Sequence, residues 1–408
     1  MSSAKRNTHD LGFKVGQKIR VTIEKVAHGG HFIARHDGAV FFVRHAIPGE
    51  ECDIEITSVG SSFNRADVIE VQSPSADRVS APCRYAHRNG CGGCDFQHIS
   101  PARQRTLKSE VITEQFARIA KLDIRVEVEE VSAPLGWRTR CSAVTTKAGA
   151  LGFYQSRSHK IIPVDDCRIL TPEMRYSELS QRGAKGDQRL EISISNTGER
   201  TIATANSRDE SPLRVSDGPD IAHYTVGENT FEVSQKSFWQ SHKDAPRVLT
   251  EAVLTYTELR EGDHVLDLYG GVGLFAASFL SFIGDSGSVD IVEGSKSATA
   301  DAARNFAGRE NVRIYTGDVA QHITRFSTAD VIVLDPPREG AGKDVIAHAA
   351  KLAARTIVYV ACDPAALARD TGYLRDAGYQ LDSMRAFDLF PMTHHIESVA
   401  KFVPSKVS

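Results

Sequence analysis

His264-Val265-Leu266-Asp267-Leu268-Tyr269-Gly270-Gly271-Val272-Gly273 reads as a buried strand entering a glycine-rich turn. A helix is expected at once, over Leu274 to Phe282. The alternation then repeats. Gly287 to Val292 predicts a strand ending in Glu293, and Val312 to Tyr315 one followed by Gly317-Asp318. Val331 to Leu334 leads into Asp335-Pro336-Pro337-Arg338, and Ile357 to Ala361 delivers Cys362 before Asp363-Pro364 breaks the strand. An antiparallel pair, Tyr379 to Phe387 with Glu397 to Phe402, closes the chain. Strands alternating with helices imply a doubly wound, mostly parallel α/β sheet over residues 233–408.

Upstream the period changes. From Val15 to Val71, short runs alternate with period two between Gly turns: Lys18 to Ile23, Ala39 to Val43, Cys52 to Ile56 and Ala66 to Val71. Such spacing predicts a small β-barrel over residues 12–71. Residues 72–232 read as a mostly β central domain holding most of the cysteines. Within it, Pro101 to Leu122 predicts a helix, with Leu107, Val111, Ile112, Gln115, Phe116 and Ile119 on one face, expected to pack on the 233–408 domain. Residues 1–11 are polar, and disorder is expected there.

The chain has 408 residues, a net charge of −3 and 41% hydrophobic content, the profile of a soluble globular protein. No apolar run approaches the ~18 residues that span a bilayer, and no apolar stretch follows the first residues as in a signal peptide. A cytoplasmic monomer without membrane contact is expected, so its cysteines are ligands or catalysts rather than disulfides. Charge is uneven. Cys83 to Arg125 carries eight Lys/Arg against four Asp/Glu, and Gly136 to Arg168 six against two. That is either a phosphate footprint or a solvated face.

Cys362 at a strand's carboxyl end is either a core thiol or a nucleophile, since ligands of open α/β sheets bind at those ends. The glycine turn allows close backbone approach, and Glu293, about twenty residues on, can accept ribose hydroxyls. Together they point to NAD or S-adenosylmethionine. Asp335-Pro336-Pro337 after the fourth strand favours a methyltransferase. Arg338, where an aromatic follows Pro-Pro in amino-directed enzymes, turns the target away from exocyclic nitrogen. A nearby thiol suggests a carbon that needs covalent activation. Cys91-Gly92-Gly93-Cys94, with Cys83 upstream, is a metal knuckle whose spacing does not separate zinc from iron–sulfur. Cys167 is the best candidate for a fourth ligand, while Cys52 and Cys141 read as core residues.

Cys91-Gly92-Gly93-Cys94-Asp95-Phe96-Gln97-His98, Phe238-Trp239-Gln240, Asp267 to Gly273, Leu334 to Arg338, Val360 to Pro364 and His395 to Val399 occur in this order. The chain thereby resembles the bacterial RNA uracil-C5 methyltransferases, which make 5-methyluridine in tRNA or 23S rRNA, and its N-terminal barrel resembles their TRAM domain. The resemblance implies a class I, Rossmann-like methyltransferase domain with Cys362 as nucleophile and Glu397 as base. It implies S-adenosylmethionine contacts from Gln240, Tyr269, Glu293, Asp318 and Asp335. It also implies a [4Fe–4S] cluster, rather than zinc, on Cys83, Cys91, Cys94 and Cys167. Three positions depart from the family pattern: Gly270 replaces a frequent Cys, Leu274 a polar residue, and His242 an Asn. The competing readings are an RNA-binding protein with a relict methyltransferase fold and, with less support, an NAD-dependent oxidoreductase. Singly, Glu293 reads as a solvated strand-end acid, Gln240 as a helix cap and Glu397 as a surface strand residue.

Overall fold

The computed structural model describes residues 12–209 and 211–405. Residues 1–11, where disorder is expected, lie outside them. The backbone groups into two compact units. Of the described residues, one comprises 12–111, 152–164 and 390–395, the other 112–151, 165–389 and 396–405. The stretch 72–232 is thus divided between the two.

The first unit is built on a closed barrel of five strands, ordered Lys18–Ala27, His31–His36, Ala39–Arg44, Asn64–Ser73 and Glu51–Ser58. Alternate residues fill it, among them Val21, Ile23, Phe32, Phe41, Val43, Ile54 and Ile56. His31–His36 is the strand the sequence reading passed over. It lies between two Gly turns, and its two histidines and arginine masked the alternation of buried Phe32 and Ala34. Residues 74–100 are almost without regular structure. Buried Glu50 ties them to the barrel, accepting from the Ser75 N–H and from Arg78 Nε at 2.6 Å.

The second unit contains an eight-stranded sheet. Its order is Val312–Thr316, Ser288–Glu293, His264–Leu268, Val331–Leu334, Thr356–Ala361, Glu397–Pro404, Tyr379–Asp388 and Val128–Glu130. The first five strands are mutually parallel, and Glu397–Pro404 runs antiparallel to both its neighbours. The central strands Val331–Leu334 and Thr356–Ala361 are buried at every position, as parallel strands covered on both faces must be. Each fully buried Val, Ile or Leu contributes roughly 1.5–3 kcal/mol. Strand order reverses between His264–Leu268 and Val331–Leu334, which opens a crevice at their carboxyl ends.

An antiparallel sheet through Arg140–Thr145, Gln188–Ile194, Arg200–Asn206 and Arg214–Asp217 accompanies it. The expected helix at 101–122 is α-helical over Pro101–Gln115 and becomes a π-turn over Phe116–Ala120, where the Ala120 carbonyl accepts from Arg375 of the helix Pro364–Asp376. No helix among the described residues is long and apolar enough to cross a membrane.

Candidate active site

The glycine-rich turn takes its shape from backbone that side chains resist. Tyr269 is at φ +63°, Gly271 at +57° and Gly273 at +88°. A Cβ on Gly273 would lie 2.2 Å from the Phe306 ring. Around a Cβ on Gly271 there is open space, so this is where a ligand can approach the main chain. The N–H groups of Gly271 and Ser295 donate to the two carboxylate oxygens of Glu293, at 3.0 and 2.6 Å. Glu293 is therefore fixed beside the turn. Asp318 caps the next short helix, accepting from the Gln321 N–H at 3.0 Å. The negative charge of Asp318, after burial, helps push the Tyr269 phenol up to about 12.

Asp335 follows Val331–Leu334, its N–H held by the Leu268 carbonyl at 3.2 Å across the switch point. Burial first, then the nearby Asp267 and Glu293, push its carboxyl up to about 7. Asp267 is fully buried and is also raised to about 7, chiefly by burial. One of its oxygens accepts from the Ala276 N–H at 3.1 Å, while Oδ1 has no partner. Sequence reasoning quoted Asp267 inside the motif and gave it no role. Its signal was an acid at a strand position where the neighbours, Leu266 and Leu268, are core.

Cys362 emerges at the carboxyl end of Thr356–Ala361, and Asp363 caps the helix Pro364–Asp376 by accepting from the N–H groups of Ala365 and Ala366, both at 2.9 Å. The strand is registered with Glu397–Pro404 from Ile357 on Phe402 to Ala361 on Ser398. Cys362 follows Ala361 and Glu397 precedes Ser398, so both adjoin the last registered pair. Glu397 is buried and its carboxyl is raised well above the ordinary range, by burial and then by Asp335. The Cys362 thiol is pushed up to about 12 by burial, then Glu397 and Asp335, while Arg338 is the cation that opposes them. The resting site thus holds a thiol amid carboxyls short of positive charge.

That arrangement has a sign-definite consequence. Asp267 and Asp335 titrate near 7 when folded and near 3.8 when unfolded. Between those values the unfolded chain loses protons that the folded chain keeps. Stability therefore falls as pH rises from about 4 to about 7, and the deficit is complete above 7. The protein free of ligand is expected to melt at a lower temperature at pH 8 than at pH 6. Asp267→Asn, which removes one uncompensated charge at constant shape, is expected to narrow that difference by roughly 1–3 kcal/mol. Thermal melts at the two pH values check both.

The structure brings Tyr269, Glu293, Asp318, Asp335, Cys362 and Glu397 to one end of one sheet. Gln240 precedes the helix Ala245–Thr257 in sequence. It is buried on the wall of a cavity of about 480 Å³, which Thr171, Trp239, His242 and Lys243 also line and none of those six does. His242, stacked on Trp137 at 5.5 Å, accepts from the Asp244 N–H at Nδ1 and meets Ser132 Oγ through Nε2 at 2.9 Å, a neutral packing role. Cys52 and Cys141 are buried, with thiols raised to about 12, as core residues should be.

The metal expectation is not supported in the same way. Cys83, Cys91 and Cys94 sit half-buried in the first unit and Cys167 half-buried in the second. Among the described residues no group of three or more His, Cys, Asp or Glu is placed to hold a metal ion. Within the Cys83–Cys94 loop the Cys91 N–H donates to the Tyr85 carbonyl, the Gly92 N–H to the Tyr154 carbonyl and the Cys83 N–H to Gln97 Oε1.

For the methyl donor the residues do fit. Open backbone at Gly271, a fixed carboxylate at Glu293 and buried acids with no cation shifting them suit a nucleoside bearing a positive sulfonium.

Comparison with known proteins agrees. The family profile described as TRAM domain matches residues 12–69, and that described as tRNA (Uracil-5-)-methyltransferase matches residues 307–402. A Streptomyces avermitilis protein described as an uncharacterized RNA methyltransferase is 41% identical, over 96% of this chain and 99% of its own. One from Corynebacterium glutamicum, described likewise, is 33% identical over 95% and 97%. A Pyrococcus abyssi tRNA (uracil-54, C5)-methyltransferase solved with S-adenosyl-L-homocysteine superposes at a TM-score of 0.69 with 21% identity, covering 94% of this chain and all of its own, which establishes a shared fold.

Proposed function

The chain belongs to the RNA methyltransferases, and from that premise we propose that it methylates C5 of a uridine in folded RNA, tRNA or rRNA, through a covalent Cys362 adduct. The observation that carries this reading is that Cys362 and Glu397 each adjoin the last registered pair, Ala361 on Ser398, of two neighbouring strands. A nucleophile and a base on neighbouring strand ends suit a ring whose C6 and C5 are adjacent.

Tyr269, Glu293, Asp318 and Asp335, with Gln240 by resemblance, would hold S-adenosylmethionine, which would supply an electrophilic methyl group. The chain's own residues do the rest. Cys362 gives up its proton as sulfur bonds to uracil C6, and the electron pair moves to C5 and O4. Arg338 supplies the positive charge that favours the thiolate. After C5 has taken the methyl, ionised Glu397 removes the C5 proton, the C5–C6 double bond re-forms and the C6–S bond breaks. Burial makes Glu397 a stronger base than an exposed carboxylate, because its proton affinity is raised. The target base must first leave its stack, at a cost of a few kcal/mol. The barrel is assigned RNA contact that offsets this cost. Its Arg65 lies over the Phe63 ring at 5.1 Å, a pairing suited to phosphate and base.

The test is release of tritium from RNA labelled at uridine C5. Release that needs both S-adenosylmethionine and Cys362 supports the reading. Methyl transfer to RNA without loss of the C5 label removes it.

For the cysteine loop the donor chemistry supports a thiolate-bound metal: the Gly93 N–H points at Cys91 Sγ at 3.5 Å. The expected result is a brown protein on anaerobic purification, absorbing near ~400 nm and bleached by chelator or oxidant. A colourless, metal-free, fully active protein would exclude the cluster.

A further inference from the structure

The sequence around Cys94 does something in this fold that thiol chemistry does not explain. Met392, a non-glycine residue at φ +66°, is gripped on both sides. Its carbonyl accepts from the N–H groups of Asp95 at 3.1 Å and Phe96 at 3.0 Å. Its N–H donates to Gln104 Oε1 at 2.8 Å. Gln104 is fully buried, and its Nε2 donates back to the carbonyls of Phe96 and Ile99, at 3.1 and 2.8 Å. One amide thus fastens the cysteine loop and the Met392 segment together.

The neighbours of Met392 are held too. His394 Nδ1 is 2.6 Å from Asp95 Oδ2. The Phe390 carbonyl accepts from the buried Lys108 ammonium at 3.0 Å and from Thr393 Oγ1 at 2.8 Å. Gly30 of the barrel leaves room for this packing, since a Cβ there would lie 2.8 Å from His394 Nδ1. Two residues past His395 along the backbone comes Glu397, the first residue of its strand.

We infer that Gln104 and Asp95, with the Cys91–Phe96 loop, are positioning residues for the catalytic base, fixing Glu397 by clamping the segment 390–395 that leads into it. The inference rests on the reading of Glu397 as the base. It gives the loop a purpose independent of what its thiols bind. Buried hydrogen-bond partners allow few alternative arrangements, so a clamped segment delivers the next residues with little freedom.

Two variants test it in the full-length protein, Gln104→Leu and the milder Asp95→Asn. The measurements are amide hydrogen exchange over residues 390–398, steady-state methylation, and RNA adduct surviving denaturation. Expected are faster exchange in that segment, a kcat lowered on the order of 10- to 100-fold, as misplacement by about 1 Å does, and an unchanged KM for S-adenosylmethionine. The diagnostic result is build-up of adduct, because a misplaced base slows release of Cys362 and not its attack. A general loss of structure would lower adduct and activity together. Wild-type exchange in both variants, or slower methylation without adduct build-up, overturns the inference. If the wild-type protein forms no adduct at all, the reading of Glu397 as base fails instead, and exchange still decides whether the clamp exists.

Discussion

Cys362→Ala is expected to lose methylation by a factor on the order of 10⁴ or more, with no RNA–protein adduct, while still binding S-adenosylmethionine and RNA. Uracil C5 is too weak a nucleophile to displace a methyl group until C6 carries an electron-donating substituent. No other thiol is identified beside Glu397. Cys52 and Cys141 are packed in cores. Serine at the same position should not rescue, because an alkoxide is harder to form than a thiolate in a site short of cations. Single-turnover methylation and a denaturing gel check the two halves. Substantial turnover by Cys362→Ala would remove the covalent route and return the chain to a binding role.

Glu397→Gln separates the second half of the reaction from the first. Attack and methyl transfer do not need the carboxylate, so adduct should form and persist. Turnover should fall about 10²- to 10⁴-fold, the usual worth of a positioned base. Glutamine also removes a negative charge that helps hold the Cys362 proton on. The thiol should therefore titrate lower in this variant, and adduct should appear at lower pH than in the parent. An adduct carrying methyl from S-adenosylmethionine, isolated after denaturation, is the expected product. A variant that neither turns over nor accumulates adduct would place Glu397 in the attack step.

Much of the site was readable from local pattern. A strand entering Gly270-Gly271-Val272-Gly273 needs left-handed backbone, and the sequence puts glycine at two of the three positions that adopt it there; Tyr269 is the third. Strand His31–His36 was missed because turn glycines flank it and a polar residue, His31, is buried beside Phe32, which hides a period of two. The four-cysteine metal set came from resemblance, since spacing gave only the Cys91–Cys94 knuckle and carries no statement of how thiols from separate parts of the chain assemble. Gln240 was read from its motif by resemblance.

By itself the sequence determined the order of strands and helices, the thiol at a strand end and the acid after the glycine turn. Those follow from side-chain period and backbone sterics, which act over a few residues. Only the tertiary structure decided that Cys362 and Glu397 adjoin one registered pair of neighbouring strands, that burial raises the Asp267 and Asp335 carboxyls to about 7, and that Gln104 clamps Met392. Pairing, desolvation and buried hydrogen bonds each require residues distant along the chain to exclude water together.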